Sequence, residues 1–294
     1  MRILGWEMTT YKFIKDYKKN NHYRSSFNRL AKKIFDIDFE AWYQEGFWND
    51  NYICYSYIKD DEVISNVSLS TMELIIDGRK QKAIQIGTVM TDPEYRRQGL
   101  ACKLVKKIFD DYDLNYELYF LAADDDAVPL YKKCGFEPNN ENQYVVDVST
   151  YQLIEKPLEP TLVSKATMLE IKKLSQPLSN VLSATGDEHV LMFYYTLGFK
   201  NSIYRLEHDM YAIFEIDGDH LNLFDILSPF KVNLQELIQQ ITPKHVKSVF
   251  CHFTPDQPVK NLKVSLDTSS NWMVRTTSSK CVPKLARFPR ISQT

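Results

Sequence analysis

The spacing of hydrophobic positions changes period several times along the chain, and each change predicts an element. From Ser26 onward, Phe27, Leu30, Ala31, Ile34 and Phe35 recur at helical spacing, and DFEAWYQEG (38–46) reads as a second short helix stopped by Gly46. Residues 51–92 are rich in β-branched and aromatic side chains, with turn signals at Asp60-Asp61 and Asp77-Gly78, which predicts three antiparallel strands joined by hairpins. From Gly99 to Asp111 a helix is predicted, with Leu100, Leu104, Val105, Ile108 and Phe109 on its apolar face, and YELYFLAA (116–123) follows as a buried strand. Strand, helix and strand in that order form a crossover unit, so the strands on either side of this helix should pair in parallel. Asp124 to Cys134 predicts the next helix, stopped by Gly135, and QYVVDVS (143–149) one more strand. A short apolar piece at Ile3-Leu4 precedes all of this and leads into a basic, aromatic stretch.

Residues 150–187, with Pro157, Pro160, Pro177 and a Gly186-Asp187 turn, read as a connection carrying one helix around Met168 to Leu174. Beyond it the first half is weakly echoed. YYTLGFKN (194–201) parallels WYQEGFWN (42–49), and Ile216-Asp217-Gly218 parallels Ile76-Asp77-Gly78, in the same order. LNLFDILSP (221–229), a helix from Asn233 to Ile241 and HVKSVFCHF (245–253) again give strand, helix, strand, and RFPRIS (287–292) is a candidate terminal strand. A length of 294 residues suits two domains of about 150 each. The expected division is 1–150, a connecting segment at 151–187, and 188–294.

A hydrophobic content of 44%, a charged content of 25% and a formal charge of −2 describe a globular protein with no global attraction for nucleic acid or an anionic membrane. The five cysteines are scattered, with no C-x-x-C pair, and the six histidines show no metal spacing, so neither a disulfide framework, a zinc site nor any other metal is expected. The N-terminus has no apolar run of signal-peptide length and no stretch approaches the roughly 20 apolar residues of a membrane span, which makes a cytoplasmic location the expectation.

One stretch carries chemistry. In DPEYRRQGLACKLVKKIF (92–109), Arg96-x-x-Gly99-x-Ala101 falls where a strand hands over to a helix. The first N–H groups of a helix have no intrahelical partner, and they converge at the positive end of its dipole. Gly99 lets the backbone approach an anion, Ala101 keeps the next turn clear, and Arg96, Arg97 and Lys103 add positive charge, so the segment is built to cradle a phosphate. It contains neither G-x-x-x-x-G-K-[ST] nor G-x-G-x-x-G, which argues against a nucleotide triphosphatase or a Rossmann dehydrogenase. The counterpart in the second half, SPFKVNLQEL (228–237), has no glycine and no arginine.

The run VMTDPEYRRQGLACKLVKKIF, followed after one strand by DDDAVPLYKKCGFE (124–137), resembles the acetyl-CoA signature of the GNAT superfamily of N-acetyltransferases and the helix after it. The resemblance covers residues 25–150 and extends, more weakly, to a degenerate GNAT-like domain at 188–294. It implies an α/β (α+β) GNAT fold, a mixed central sheet with helices on both faces, in two tandem GNAT-like domains. It implies acetyl-CoA as co-substrate, with Val89, Met90 and Thr91 beside the pantetheine and acetyl group, and the pyrophosphate on the N–H groups of Arg97, Gln98, Gly99, Leu100, Ala101 and Cys102, near Arg96. It also implies an acyltransferase that passes the acetyl group to a primary amine by direct attack, with Tyr131 as general acid. Asp124 stands where the family often has asparagine, and a carboxylate cannot donate to a carbonyl as an amide can. The base is open between Glu73, the best acidic candidate, and a water relay; Cys102 and Cys134 receive no nucleophilic role. The expected partner is a small-molecule or peptide amine, with no nucleic acid or membrane, and a homodimer is the candidate assembly. A non-catalytic acyl-CoA sensor or interaction module on the same fold is the alternative.

Overall fold

Two mixed sheets organise the chain, and each takes a strand from the other half of the sequence. The structure is a computed structural model that describes residues 11–277 and 282–293; the apolar piece at Ile3-Leu4 and Cys281 lie outside the described residues. The first half runs β1 (Lys12–Lys15), α1 (Asn21–Phe35), α2 (Glu40–Gln44), β2 (Tyr52–Lys59), β3 (Glu62–Ile76), β4 (Arg79–Thr91), α3 (Leu100–Tyr112), β5 (Leu118–Ala122), α4 (Val128–Lys133), β6 (Glu137–Pro138) and β7 (Asn142–Asp147). The second runs α5 (Lys165–Leu174), β8 (Leu182–Thr185), α6 (Glu188–Leu197), β9 (Ile203–Arg205), β10 (Tyr211–Asp217), β11 (His220–Leu227), α7 (Leu234–Ile241), β12 (Ser248–Cys251), β13 (Leu262–Leu266) and β14 (Trp272–Thr276).

The first sheet has the order β1-β2-β3-β4-β5-β14-β6, with β8 against the end of β3; the second has the order β13-β7-β12-β11-β10-β9. As predicted, β2, β3 and β4 form antiparallel hairpins and β4 pairs with β5 in parallel across α3. The second half repeats the plan, with β10 antiparallel to β11 and β11 parallel to β12 across α7. The echoed residues occupy matching places: Asp77-Gly78 turns β3 into β4, Gly218 lies between β10 and β11, and Gly46 and Gly198 follow helices α2 and α6.

Three expectations need correction. QYVVDVS does form a strand, β7, but it pairs with β12 and β13 in the second sheet, while β14 inserts between β5 and β6 in the first. A boundary at residue 150 therefore does not separate the sheets, because each half lends its last strand to the other. Alternation of side chains shows that a segment is a strand, and it carries no information about which edge receives it. The segment 151–187 is more than a connection, since β8 adds to β3 from Glu73↔Thr185 to Ile76↔Leu182. RFPRIS is not a strand; it holds one 3-10 turn, Arg290–Ser292, where Pro289 offers no N–H to a ladder, and the terminal strand is β14.

The exchange is well anchored. Trp272 is buried against Phe120 and Phe288, and Arg275 forms a bidentate pair with Asp113 just beyond α3 (2.9 and 2.8 Å) while stacking on Phe109. On one face of the first sheet α3 buries Leu104, Val105 and Ile108 against Val67, Leu69 and Ile84, each worth about 1.5–3 kcal/mol of burial. On the other face α1, α2 and α6 share one aromatic core that includes Phe27, Trp42, Trp48, Leu191 and Met192.

Candidate active site

The site begins where two parallel strands part. β4 pairs with β5 only from Ala83↔Leu118 to Gln85↔Phe120; beyond that, residues 86–91 leave β5 and one edge of β4 opens. On its other edge β4 carries a bulge opposite Asn66 and Ser68, with Thr88 at φ 45°. The bulge is fixed from beneath. Buried Asn66 donates through Nδ2 to the Thr88 carbonyl (2.9 Å) and to Ser68 Oγ (2.9 Å), while Tyr52 Oη and Thr88 Oγ1 share a hydrogen bond of 2.7 Å. Val89, Met90 and Thr91 thus stand beside the opening.

The chain then turns into α3. Asp92 accepts from the Glu94 N–H (3.1 Å), and Arg96 Nε donates back to the Thr91 carbonyl (3.1 Å), so the arginine is held against the strand end. Arg97 (φ 63°) and Gly99 (φ 74°) both adopt left-handed backbone, which directs successive amides to one side. Gly99 is the N-cap, and no side chain caps it. The first backbone bond of the helix runs from the Lys103 N–H to the Gly99 carbonyl (3.1 Å), so the N–H groups of Leu100, Ala101 and Cys102 have no acceptor among the described residues. A Cβ added at Gly99 would meet no atom of the described residues within 4 Å beyond its own chain neighbours, which leaves the space in front of the turn open among them.

A cleft of about 710 Å³ runs from this turn along the parted strands. Of the residues singled out in the sequence, Val89, Met90, Thr91, Arg96, Arg97, Ala101, Asp124 and Tyr131 line it. Gln98, Gly99, Leu100 and Cys102 do not. Gln98 accepts from the Tyr11 hydroxyl (2.7 Å) through its side-chain oxygen, the Leu100 side chain is core, and the Cys102 thiol meets that of Cys134, so Gly99, Leu100 and Cys102 can offer a ligand only their backbone. Tyr131 is buried on α4; that burial, reinforced by the nearby Asp124 charge, pushes its hydroxyl well above the usual tyrosine range and keeps it a proton donor. Glu73 lies outside the cleft, on β3, where it pairs with Lys80 (2.8 Å).

Of the opposite end of the cleft the sequence offers only Trp42, one of the aromatic residues before the first strands (Trp42, Tyr43, Phe47, Trp48) that could serve either an acceptor site or the core. That end is walled by Ile34, Ile37, Phe39, Trp42, Tyr52 and Phe193, the last from α6 in the second half. Phe193 stacks on Phe39 (centroids 5.1 Å, 27°) and meets Trp42 edge-on, while Trp42 Nε1 donates to the His189 carbonyl (3.0 Å). Asn66 was also missed, because a polar residue inside a strand signals nothing until the bulge opposite is seen.

The matching place in the second half is closed. Asn233 Oδ1 accepts from the N–H groups of Gln235 (3.1 Å) and Glu236 (3.3 Å) at the start of α7, and Gln257 Oε1 takes that of Leu234 (3.3 Å). The cavity there is only about 100 Å³. A helix start whose amides are capped by its own chain has nothing to give a phosphate.

The comparisons agree with this geometry. The family model described as an acetyltransferase (GNAT) domain matches residues 18–139. Among solved structures, a conserved protein from Enterococcus faecalis V583 described as a probable N-acyltransferase is 18% identical with a TM-score of 0.63, covering 91% of this chain and 73% of that one. GCN5-related N-acetyltransferases from Kribbella flavida (14% identity, TM-score 0.60, 91% of this chain and 71% of that one) and Anabaena variabilis ATCC 29413 (16%, 0.60, 92% and 73%) are similar to the same extent. At these identities the likeness is one of fold. No curated protein matches the sequence. Among the described residues, no helix is long and apolar enough to cross a membrane, and no group of three or more His, Cys, Asp or Glu side chains could hold a metal ion. Residues 18–139, which contain β2 to β5, the uncapped turn into α3 and α4, match the model of a GNAT acetyltransferase domain, within a chain that shares its fold with GNAT proteins over nine-tenths of its length.

Proposed function

We propose that the protein is an N-acetyltransferase that passes the acetyl group of acetyl-CoA to a primary amine by direct attack. The observation that carries this reading is the uncapped start of α3, with three amides unpartnered among the described residues and an open Gly99, beside a cleft created by the parting of β4 from β5. The residues present fit coenzyme A. The amides of Arg97 to Cys102, with Arg96 and Arg97 beside them, would hold the pyrophosphate, and the free edge of Val89 to Thr91 would hold the pantetheine amides and the thioester carbonyl. The co-substrate supplies an activated thioester.

The chain's own groups supply the rest. Tyr131 keeps its proton through the working pH range and can donate a hydrogen bond toward sulfur as negative charge develops there. Asp124, solvent-exposed on the cleft lining, can accept from pantetheine N–H groups and cannot donate to the pantetheine carbonyls. With Glu73 outside the cleft, proton removal from the amine falls to water or to the substrate's own loss of charge on entering an apolar wall. The test is coenzyme A release with acetyl-CoA and a broad amine panel. Release coupled to N-acetyl product supports transfer; saturable acetyl-CoA binding with no release to any amine would favour an acyl-CoA sensor.

A further inference from the structure

The acceptor end of the cleft has a chemistry that restricts what can occupy it. Of its six wall residues, Ile34, Ile37, Phe39 and Phe193 carry no polar side-chain atom. The two that do have already committed it: the Tyr52 hydroxyl is bound to Thr88 Oγ1 and the Trp42 N–H to the His189 carbonyl. The Trp42 N–H is thus spent, and the Tyr52 hydroxyl, with one hydrogen bond already made, keeps only the remainder of its donor and acceptor capacity. Carboxylates are equally scarce. Among the described residues, Asp124 and Asp126 are the only acidic residues lining the cleft, and both belong to the exposed turn before α4, whose helix packs with Tyr131 into the core on the α3 face of the sheet, whereas the aromatic wall belongs to the core on the other face. The acids on the loop between α1 and α2 face solvent, Asp36 beside Lys32 (2.6 Å) and Asp38 beside the Glu40 N–H (2.7 Å), and neither lines the cleft. A ligand carrying several ammonium groups would therefore lose hydration at this wall without finding carboxylates in return, which is costly for each charge.

We propose that the acceptor is a monoamine carried on an apolar or aromatic body, and that polycationic amines are poor substrates. This rests on the acetyltransferase reading above and names the substrate class of that site. The body of the amine lies on Phe39, Trp42 and Phe193, and its nitrogen reaches toward the Thr88 bulge. Desolvation against such a wall disfavours the ammonium form, so the amine sheds its proton on binding, which accounts for a cleft with no carboxylate at that end. In the transfer the amine nitrogen forms the C–N bond, the thioester C–S bond breaks, and one proton passes in net from nitrogen to the departing sulfur, with none gained or lost.

The experiment compares 2-phenylethylamine and hexylamine with spermidine and kanamycin, following thiol release and the N-acetyl product by mass spectrometry, with acetyl-CoA binding measured separately by calorimetry. The monoamines should exceed the polycations in kcat/KM by about 100-fold, the discrimination a few buried apolar groups can give. Phe193→Glu should lower kcat/KM for 2-phenylethylamine at least about tenfold and leave acetyl-CoA affinity unchanged; Phe193→Ala, which adds no buried charge, provides the same direction of change should the glutamate variant fail to fold. Equal or better use of spermidine or kanamycin would overturn the proposal, and so would acetyl-CoA binding with no transfer to either monoamine. Absence of acetyl-CoA binding would instead refute the acetyltransferase reading on which it stands.

Discussion

Replacing Tyr131 by phenylalanine removes one oxygen and little else. The ring stays packed beside Phe136 (centroids 6.1 Å), and the hydroxyl has no hydrogen-bond partner among the described residues, so its loss should change stability by less than about 0.5 kcal/mol. The catalytic effect is set by what the hydroxyl does when charge builds on sulfur. A thiol pKa near 8.5, by analogy with cysteine, lies below that of a tyrosine raised above its ordinary value of about 10, so complete proton transfer from Tyr131 to a free thiolate is uphill by more than about 2 kcal/mol. The contribution is therefore that of a strengthening hydrogen bond along the reaction. Losing one such preorganised donor costs about 3–4 kcal/mol, or roughly a 100- to 1,000-fold fall in kcat. Because the proton is held above the usual range, wild-type activity should show no alkaline limb from this group below about pH 10. The assay is coenzyme A release at saturating acetyl-CoA, with calorimetric acetyl-CoA affinity alongside. A Tyr131→Phe variant with unchanged kcat would remove the residue from the mechanism.

Two further outcomes follow from the fold. His189 is buried with neither ring nitrogen hydrogen-bonded among the described residues, and desolvation holds its pKa down to about 4 from the ordinary 6.5. The folded state thus binds fewer protons than the unfolded state, and stability present above pH 6.5 is lost as pH falls toward 4, by about 3 kcal/mol over that window; urea unfolding of His189→Phe should show a flatter dependence there than wild type, and an unchanged dependence would exclude His189 as its source. A fragment ending at residue 150 lacks β14, which in the whole protein lies between β5 and β6, and leaves β7 without β12 and β13. It should aggregate and show no cooperative melting, and a soluble fragment that melts cooperatively and binds acetyl-CoA would contradict the described exchange.

The parts of this protein that could be read from sequence are those where local chemistry decides. Amphipathic spacing placed α1, α3 and α7, hairpin turns placed β2 to β4, and the glycine at a strand-to-helix junction marked the cradle. What could not be read depends on partners distant in sequence. Nothing in QYVVDVS says that its ladder is completed by residues 262–266, and nothing in the composition of 272–276 says that it closes the first sheet next to β5. Glu73 looked available on a central strand until β8 and Lys80 were seen beside it. The aromatic cluster around Trp42 was legible as a cluster; that it is mostly core yet presents one edge to a cleft required Phe193 from α6. The difference between the halves was legible at Gly99, and its physical counterpart, the capping of α7 by Asn233 and Gln257, appears only in the structure.

The central claim is that one phosphate cradle, at Gly99, holds acetyl-CoA. Calorimetric titration of acetyl-CoA into wild type, Gly99→Ala and Gly99→Glu tests it directly. Both variants place a side chain at φ 74°, for which a left-handed penalty of about 1–2 kcal/mol in stability is expected, and neither Cβ strikes any of the described residues. Wild type should bind one acetyl-CoA per chain, since the second cradle is capped. Gly99→Glu, which puts a chain and a like charge where the pyrophosphate would sit, should lose affinity far beyond Gly99→Ala while remaining folded. Equal affinity in wild type and Gly99→Glu, or two molecules bound per chain, would contradict the account.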